Sequence, residues 1–217
     1  MVRNLVVNDL WLILEGAKWT VYISLAAFFF GGMIGVIIAA CRASGVAIVS
    51  RVAQAYIEVF RGTPLLMQLF IAFYGLPIIG LNPSAWTSIV VAFTFHASAF
   101  LGEIWRGAIQ SVPRGQSEAA LALGLGYIDR MRYVIFPQAI RISLPGTVGF
   151  LVTFIKGTSL CTIVGFTELS RAGVIVSNAT MQPLLVFGAV AALYFAICWP
   201  LSIASASLEK RYLAATR

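Results

Sequence analysis

Five ionisable side chains stand within or beside long apolar runs: Glu58, Arg61, Glu103, Arg106 and Lys156. Charge in such surroundings is expensive, and it is kept by pairing, by lining a water-filled path or by meeting a ligand. Glu58 and Arg61 open one apolar run, and Glu103 and Arg106 close the next, so the four are predicted at similar depth. One reading is a structural ion-pair cluster, Arg61 with Glu103 and Glu58 with Arg106 or with a partner subunit. The other makes the same cluster part of an inner gate. Arg61-Gly62-Thr63-Pro64 carries a second chemistry. Pro64 suits the first turn of a helix and Thr63 its N-cap. A helix start beside Arg61 offers free N–H groups and a positive dipole end to a carboxylate; the same break can equally be a kink that only shapes the bundle. Lys156 precedes Gly157, Thr158 and Ser159. It either snorkels or pairs with Glu58 or Glu103, or it faces a path through the bundle with Thr158 and Ser159.

Other reactive residue types suggest less. His96 is the lone histidine, and packing with a hydrogen bond is its expected role. Gln68 and Tyr74 are read as packing or interhelical hydrogen-bonding residues, with lining of the path as the lesser role. Cys41, Cys161 and Cys198 are scattered through apolar segments at spacings that suit neither a disulfide framework nor a metal, and are read as small buried hydrophobes. There is no Gly-x-Ser-x-Gly and no His-Glu-x-x-His, so no catalytic set and no metal site is expected.

The elements that hold these groups are apolar. Of 217 residues, 60% are hydrophobic and 11% charged, against about 25% charged in a soluble domain. Lipid must cover the surplus, which predicts an all-α polytopic membrane protein of about five spans. Residues 4–18 read as a short amphipathic helix lying at a membrane surface, and Asp9 and Glu15 interrupt what a cleavable signal would need. Spans follow at Trp19–Cys41, at an interrupted second region broken around Arg61–Thr63, at Trp86 to about Ile109, at 146–165 and at Leu184 to about Ala206. Glu168, Arg171 and Asn178 fall in a loop. The net charge of +7 is read as topology rather than nucleic-acid binding. Arg42, Arg51, Arg114, Arg130, Arg132, Arg141, Lys210, Arg211 and Arg217 gather on one side, and Arg3, Lys18 and Arg171 on the other. The richer side is inside, which puts the N-terminus outside and the C-terminus inside.

The one long polar loop, Ser111–Pro145, reads QSVPRGQSEAALALGLGYIDRMRYVIFPQAIRISLPG from Gln110. Pro113 and Gly115 end the third span. Ser117–Leu123 is strongly helical, Ala119 and Ala120 leave a flat surface for another protein, and Gly124 and Gly126 allow a turn. A second helix is expected over Tyr127–Ile135, ended by Pro137.

Glu118-Ala119-Ala120, Gly124 four residues on, and Val134-x-Phe136-Pro137 after nine more residues together resemble the cytoplasmic EAA loop of permease subunits in bacterial ATP-binding-cassette importers. The segments YIEVFRGTPLLMQLFIAFYGLP, AFLGEIWRGAIQSVPRGQSEAA and FIKGTSL are similar to the polar amino acid subgroup, and the similarity covers most of residues 16–213. The resemblance implies a single permease domain over 1–217, in the inner membrane, with 111–145 as coupling loop. It implies a second permease subunit, identical or a paralogue, two ATPase subunits that bind ATP and Mg, and a periplasmic amino-acid-binding protein. This chain would bind no cofactor, having no Walker A pattern. Glu118, Ala119, Ala120 and Gly124 would dock in the ATPase. Members often carry Asp after the lysine at Lys156, where Gly157 stands here, which favours acidic or neutral polar cargo over arginine or lysine. An ion-coupled secondary transporter would show internal repeats and more buried carboxylates, and an intramembrane enzyme a catalytic pair; neither pattern is evident.

Overall fold

The computed structural model describes residues 4–214, so Arg3 and Arg217 of the charge balance lie outside the described residues. Within them every regular element is helical: α1 (Val7–Ala43), α2 (Ala47–Gly62), α3 (Leu65–Phe70), a π-turn (Ile71–Gly75), α4 (Leu76–Ile78), α5 (Ala85–Ser111), α6 (Arg114–Ala122), α7 (Tyr127–Arg130), a second π-turn (Met131–Ile135), α8 (Phe136–Gly157), a 3-10 segment (Thr158–Thr162), α9 (Leu169–Thr180) and α10 (Pro183–Ala214). Four helical stretches are long and apolar enough to cross a membrane: Val7–Ala43, Ala85–Gln110, Tyr127–Thr162 and Pro183–Arg211. A fifth is formed if the pair Ala47–Gly62 and Leu65–Ile78, bent by 100°, counts as one.

Residues 4–18 do not form a separate surface helix; from Val7 onward they are the start of the 37-residue α1. At 1.5 Å per residue this helix is about 55 Å long, well beyond the hydrocarbon thickness. Its polar start is explained by what it packs against. Asp9 caps the helix by accepting from Val6 N at 2.9 Å, and Glu15 and Lys18 pair with each other. Ile13, Gly16 and Thr20 turn inward at helical spacing, Ile13 into a cluster with Leu169 and Val176 of α9 and Val186 and Val190 of α10.

Further along, α1 lies directly on α5. A Cβ added at Gly31 would stand 2.6 Å from Ala97 Cβ, and one at Gly102 would stand 2.8 Å from Ile38 Cγ2. Small residues four apart, Gly31 and Gly35, thus let two backbones approach closely where lipid supplies no hydrophobic drive. Ile23, Ala27, Leu69, Phe93, Leu101 and Phe154 fill the core between α1, α3, α5 and α8.

Both π-turns lie just ahead of a proline. Leu76 N bonds Ile71 O and Phe136 N bonds Met131 O, and Pro77 and Pro137 follow. The expectation that Pro137 ends a helix is therefore corrected. A wider turn makes room for the ring, Gln138 Nε2 donates to Val134 O at 2.8 Å, and the helix runs on from α7 through α8. The loop expected around Glu168 and Arg171 is instead the N-terminus of α9, which also contains Asn178.

Candidate functional sites: bend, ion cluster and loop helix

The break falls where expected, but Thr63 does not cap the new helix. Its Oγ1 donates backward to Val59 O at 2.7 Å, closing α2, and Pro64 takes the N-cap position of α3. Gln68 locks the corner. Its Nε2 lies 2.8 Å from Phe60 O, 3.1 Å from Thr63 O and 2.9 Å from Thr63 Oγ1. Its Oε1 lies 3.3 Å from His96 Nδ1. Both residues thus take the hydrogen-bonding role expected of them, while Tyr74 is exposed. Arg61, Gly62, Thr63 and Pro64 form an open rim.

Arg61 reaches α5. Its Nη1 stands 3.7 Å from Glu103 Oε1, and its guanidinium lies 5.3 Å from the Phe100 ring centre. Glu103 is already gripped by Arg106, with Nε on Oε2 at 2.7 Å and Nη2 on Oε1 at 2.6 Å, a bidentate fork within one helix. The expected Glu58–Arg106 pair does not form. Arg106 finds its acid one turn away, and Glu58 is exposed and accepts from Gln54 Nε2 at 2.7 Å.

Lys156 pairs with neither Glu58 nor Glu103. It is exposed, and no described carboxylate lies within 4.0 Å. A Cβ at Gly157 would lie 3.5 Å from Leu65 Cδ2, so the lysine segment sits against the first turn after the bend. Ser159 Oγ bonds Lys156 O at 2.9 Å. Thr158 corrects the expectation of a path-facing hydroxyl: it is fully buried, and its Oγ1 donates to Ile155 O at 2.7 Å.

On the polar loop, Glu118 and Ala119 are exposed on α6, but Ala120 is only 3% exposed, so the two alanines do not form one flat face. Gly124 adopts φ +77, the left-handed conformation that closes a helix, and Leu125 N bonds Ala120 O at 3.1 Å. Leu121 and Leu123 project outward.

Glu168 escaped the sequence reading. It is fully buried and accepts from Thr20 Oγ1 at 3.3 Å, Thr162 Oγ1 at 2.8 Å, Ser170 N and Arg171 N at 2.9 Å and Tyr194 OH at 3.0 Å. One carboxylate thus ties α1, the 3-10 segment, α9 and α10 together. Its signal was an acidic residue at the head of an amphipathic stretch, an N-cap pattern. The cysteines behave as expected: Cys161 and Cys198 are buried, Cys41 is half-buried and all three are free.

Known proteins resemble this chain over most of its length. The family described as "Binding-protein-dependent transport system inner membrane component" matches residues 31–213. The probable amino-acid ABC transporter permease protein YckA of Bacillus subtilis (strain 168) is 37% identical over 92% of this chain and 88% of its own length. The glutamine transport system permease protein GlnP of Escherichia coli (strain K12) is 37% identical over 92% of each. A crystal structure of an amino acid ABC transporter with histidines superimposes with TM-score 0.88 and 35% identity, over 94% of this chain and 96% of that one. The inward-facing MetNI methionine ABC transporter shares the fold, with TM-score 0.78 at 22% identity over 98% of this chain and 100% of that one. The chain belongs to the family of inner membrane components of binding-protein-dependent transport systems, and is a membrane permease subunit of an ABC transporter.

Proposed function

We propose that this permease imports a polar amino acid, driven by a separate ATPase that docks on α6. The observation that carries the docking is the exposed Glu118-Ala119 face, ended by left-handed Gly124 and feeding directly into the long helix that starts at Tyr127. Push on such a short helix moves α7 and α8, which carry Lys156 at their far end. Single-domain organisation over 1–217, an outside N-terminus and an inside C-terminus belong to the same reading, because they place α6 in the cytoplasm with Arg114, Arg130 and Arg132. The partners are a second permease, identical or a paralogue, two ATPase subunits that bind ATP and Mg, and a periplasmic amino-acid-binding protein.

Amino acid cargo rests on the relatives, among them GlnP, and on the bend. Arg61, Gly62, Thr63 and Pro64 form the exposed bend, and the segment Lys156–Ser159 lies against Leu65 just after it through Gly157, so that a carboxylate can meet the two uncommitted or loosely paired cations there. The fully buried Thr158 holds the lysine segment from within, through Ile155 O.

The deciding experiment reconstitutes the chain with its ATPase, partner permease and binding protein in proteoliposomes. ATP-dependent uptake of a polar amino acid is expected, and Glu118→Lys is expected to sever uptake from hydrolysis while the binding protein still binds its ligand. Uptake without ATP would instead favour ion coupling, and unchanged coupling in Glu118→Lys would remove α6 as the docking element.

A further inference from the structure

A lateral groove of about 430 Å³ opens between α1, α5 and α8, within the size range of ligand pockets, about 300–1,000 Å³. Its floor is made of small residues, Ala39 and Ala139, and of Trp105; Val36 and Ile140 stand exposed at its walls. The lining offers nothing to a polar ligand. Ser143 Oγ donates to Ile140 O at 2.9 Å. Thr147 Oγ1 donates to Ser143 O at 2.8 Å and accepts from Trp105 Nε1 at 3.0 Å. The helices that form the groove all belong to membrane-crossing stretches, so what fills it must be apolar.

The end of the groove toward Ala40, Ile109 and Phe136 has a different character. Tyr127 OH bonds Ala43 O at 3.2 Å, bridging α1 to α7 across that end. Arg130 lies over the Tyr127 ring at 5.5 Å, and Arg132, one turn before Phe136, over Tyr133 at 5.5 Å. Neither arginine has a described carboxylate within 4.0 Å, and the neighbouring Asp129 is exposed. An apolar groove lined by Phe136, with Arg132 one turn before that residue and no described carboxylate within 4.0 Å of Arg130 or Arg132, is complementary to one class of molecule.

We propose that the groove is a site for an anionic phospholipid, with an acyl chain lying against Trp105 and the headgroup phosphate at Arg130 and Arg132. The cationic end attracts the phosphate, and the dry lining takes the chain. Because α6 leads into α7 at this end, the bound lipid sits beside the segment that joins the cytoplasmic helix to α8. The site does not depend on which cargo is carried.

The test uses the whole transporter in vesicles of phosphatidylcholine, with bromine-labelled phosphatidylglycerol or bromine-labelled phosphatidylcholine added stepwise. Quenching of the Trp105 emission is obtained by difference from a Trp105→Phe variant. Brominated phosphatidylglycerol is expected to quench at a severalfold lower mole fraction than brominated phosphatidylcholine. Arg130→Gln with Arg132→Gln is expected to abolish that preference, and Ala40→Leu, at the exposed rim, to weaken quenching by both lipids. Equal quenching by the two lipids, or a preference that survives loss of both arginines, overturns the proposal. So does a Trp105 shielded from both lipids, which would assign the groove to another protein segment such as a second copy.

Discussion

Arg61 Nη1 stands 3.7 Å from the same Glu103 Oε1 that Arg106 Nη2 holds at 2.6 Å, while Arg106 Nε holds Oε2 at 2.7 Å. The two cations are therefore not equivalent. Arg106 is a partner within α5, whereas Arg61 sits at the bend and touches α5 through a longer contact and the face of Phe100. If the bend moves during transport, Arg61 is the partner that lets go. Glu103→Lys removes both attachments and is expected to leave ATP hydrolysis running without transport in the reconstituted transporter. Arg61→Gln is expected to do the same more mildly with folding intact. Unchanged coupling in both would leave the cluster a structural role only.

The proposed role of Lys156 toward cargo can be tested directly. The lysine is exposed and has no described acidic partner, so Lys156→Ala removes little from the fold. It is expected to lower amino acid uptake by about tenfold, the effect of one lost charge-assisted contact of about 1.4 kcal/mol, while the basal ATPase rate persists. Uptake at the normal rate would take Lys156 out of the path.

Gly157 offers the converse change. A side chain there would meet Leu65 at 3.5 Å, an ordinary contact. Gly157→Asp is therefore expected to fold and to place an acid beside the bend, where it can hold a cationic side chain. Binding of arginine to the purified transporter, measured by calorimetry, is expected to appear or strengthen in this variant. No change would separate this position from side-chain selection.

What could be read from sequence was what has a local cause. The presence of four to five spans follows from apolar runs, although the first and fourth begin well before the expected Trp19 and residue 146, at Val7 and Tyr127; the break follows from Arg-Gly-Thr-Pro, and Glu118 to Gly124 is a spacing. The misreadings share a different cause. Asp9, Glu15 and Lys18 look interfacial until α9 and α10, distant in sequence, supply the packing that makes their helix part of α1. Pro137 breaks a helix by local rules, and only a π-turn and the Gln138 side chain show how it is accommodated. Glu168 looked like loop polarity because its donors come from Thr20, Thr162 and Tyr194, which no local window contains.

That carboxylate gives a stability prediction. Glu168→Ala leaves buried donors on Thr20, Thr162 and Tyr194 and two backbone N–H groups without their acceptor. Each unsatisfied group costs about 1–3 kcal/mol, so a loss of about 3 kcal/mol or more is expected, read as a large drop in melting temperature in detergent. Glu168→Gln keeps one acceptor oxygen and is expected to cost less. Equal melting of wild type and Glu168→Ala would show that the hydroxyls find other partners.

The α1–α5 contact can be tested by exchange. Gly31→Ala puts a methyl group 2.6 Å from Ala97 Cβ and close to Thr94 O, which lies at 3.0 Å. Overpacking of this kind costs about 1–3 kcal/mol. Ala97→Gly removes the side-chain half of the clash but not the backbone half. The double variant Gly31→Ala with Ala97→Gly is therefore expected to melt between wild type and Gly31→Ala, with a favourable coupling between the two changes. Additive losses would mean that the two helices part at this point rather than press together, and the small-residue contact would then lose its part in positioning Glu103 and Arg106 farther along α5.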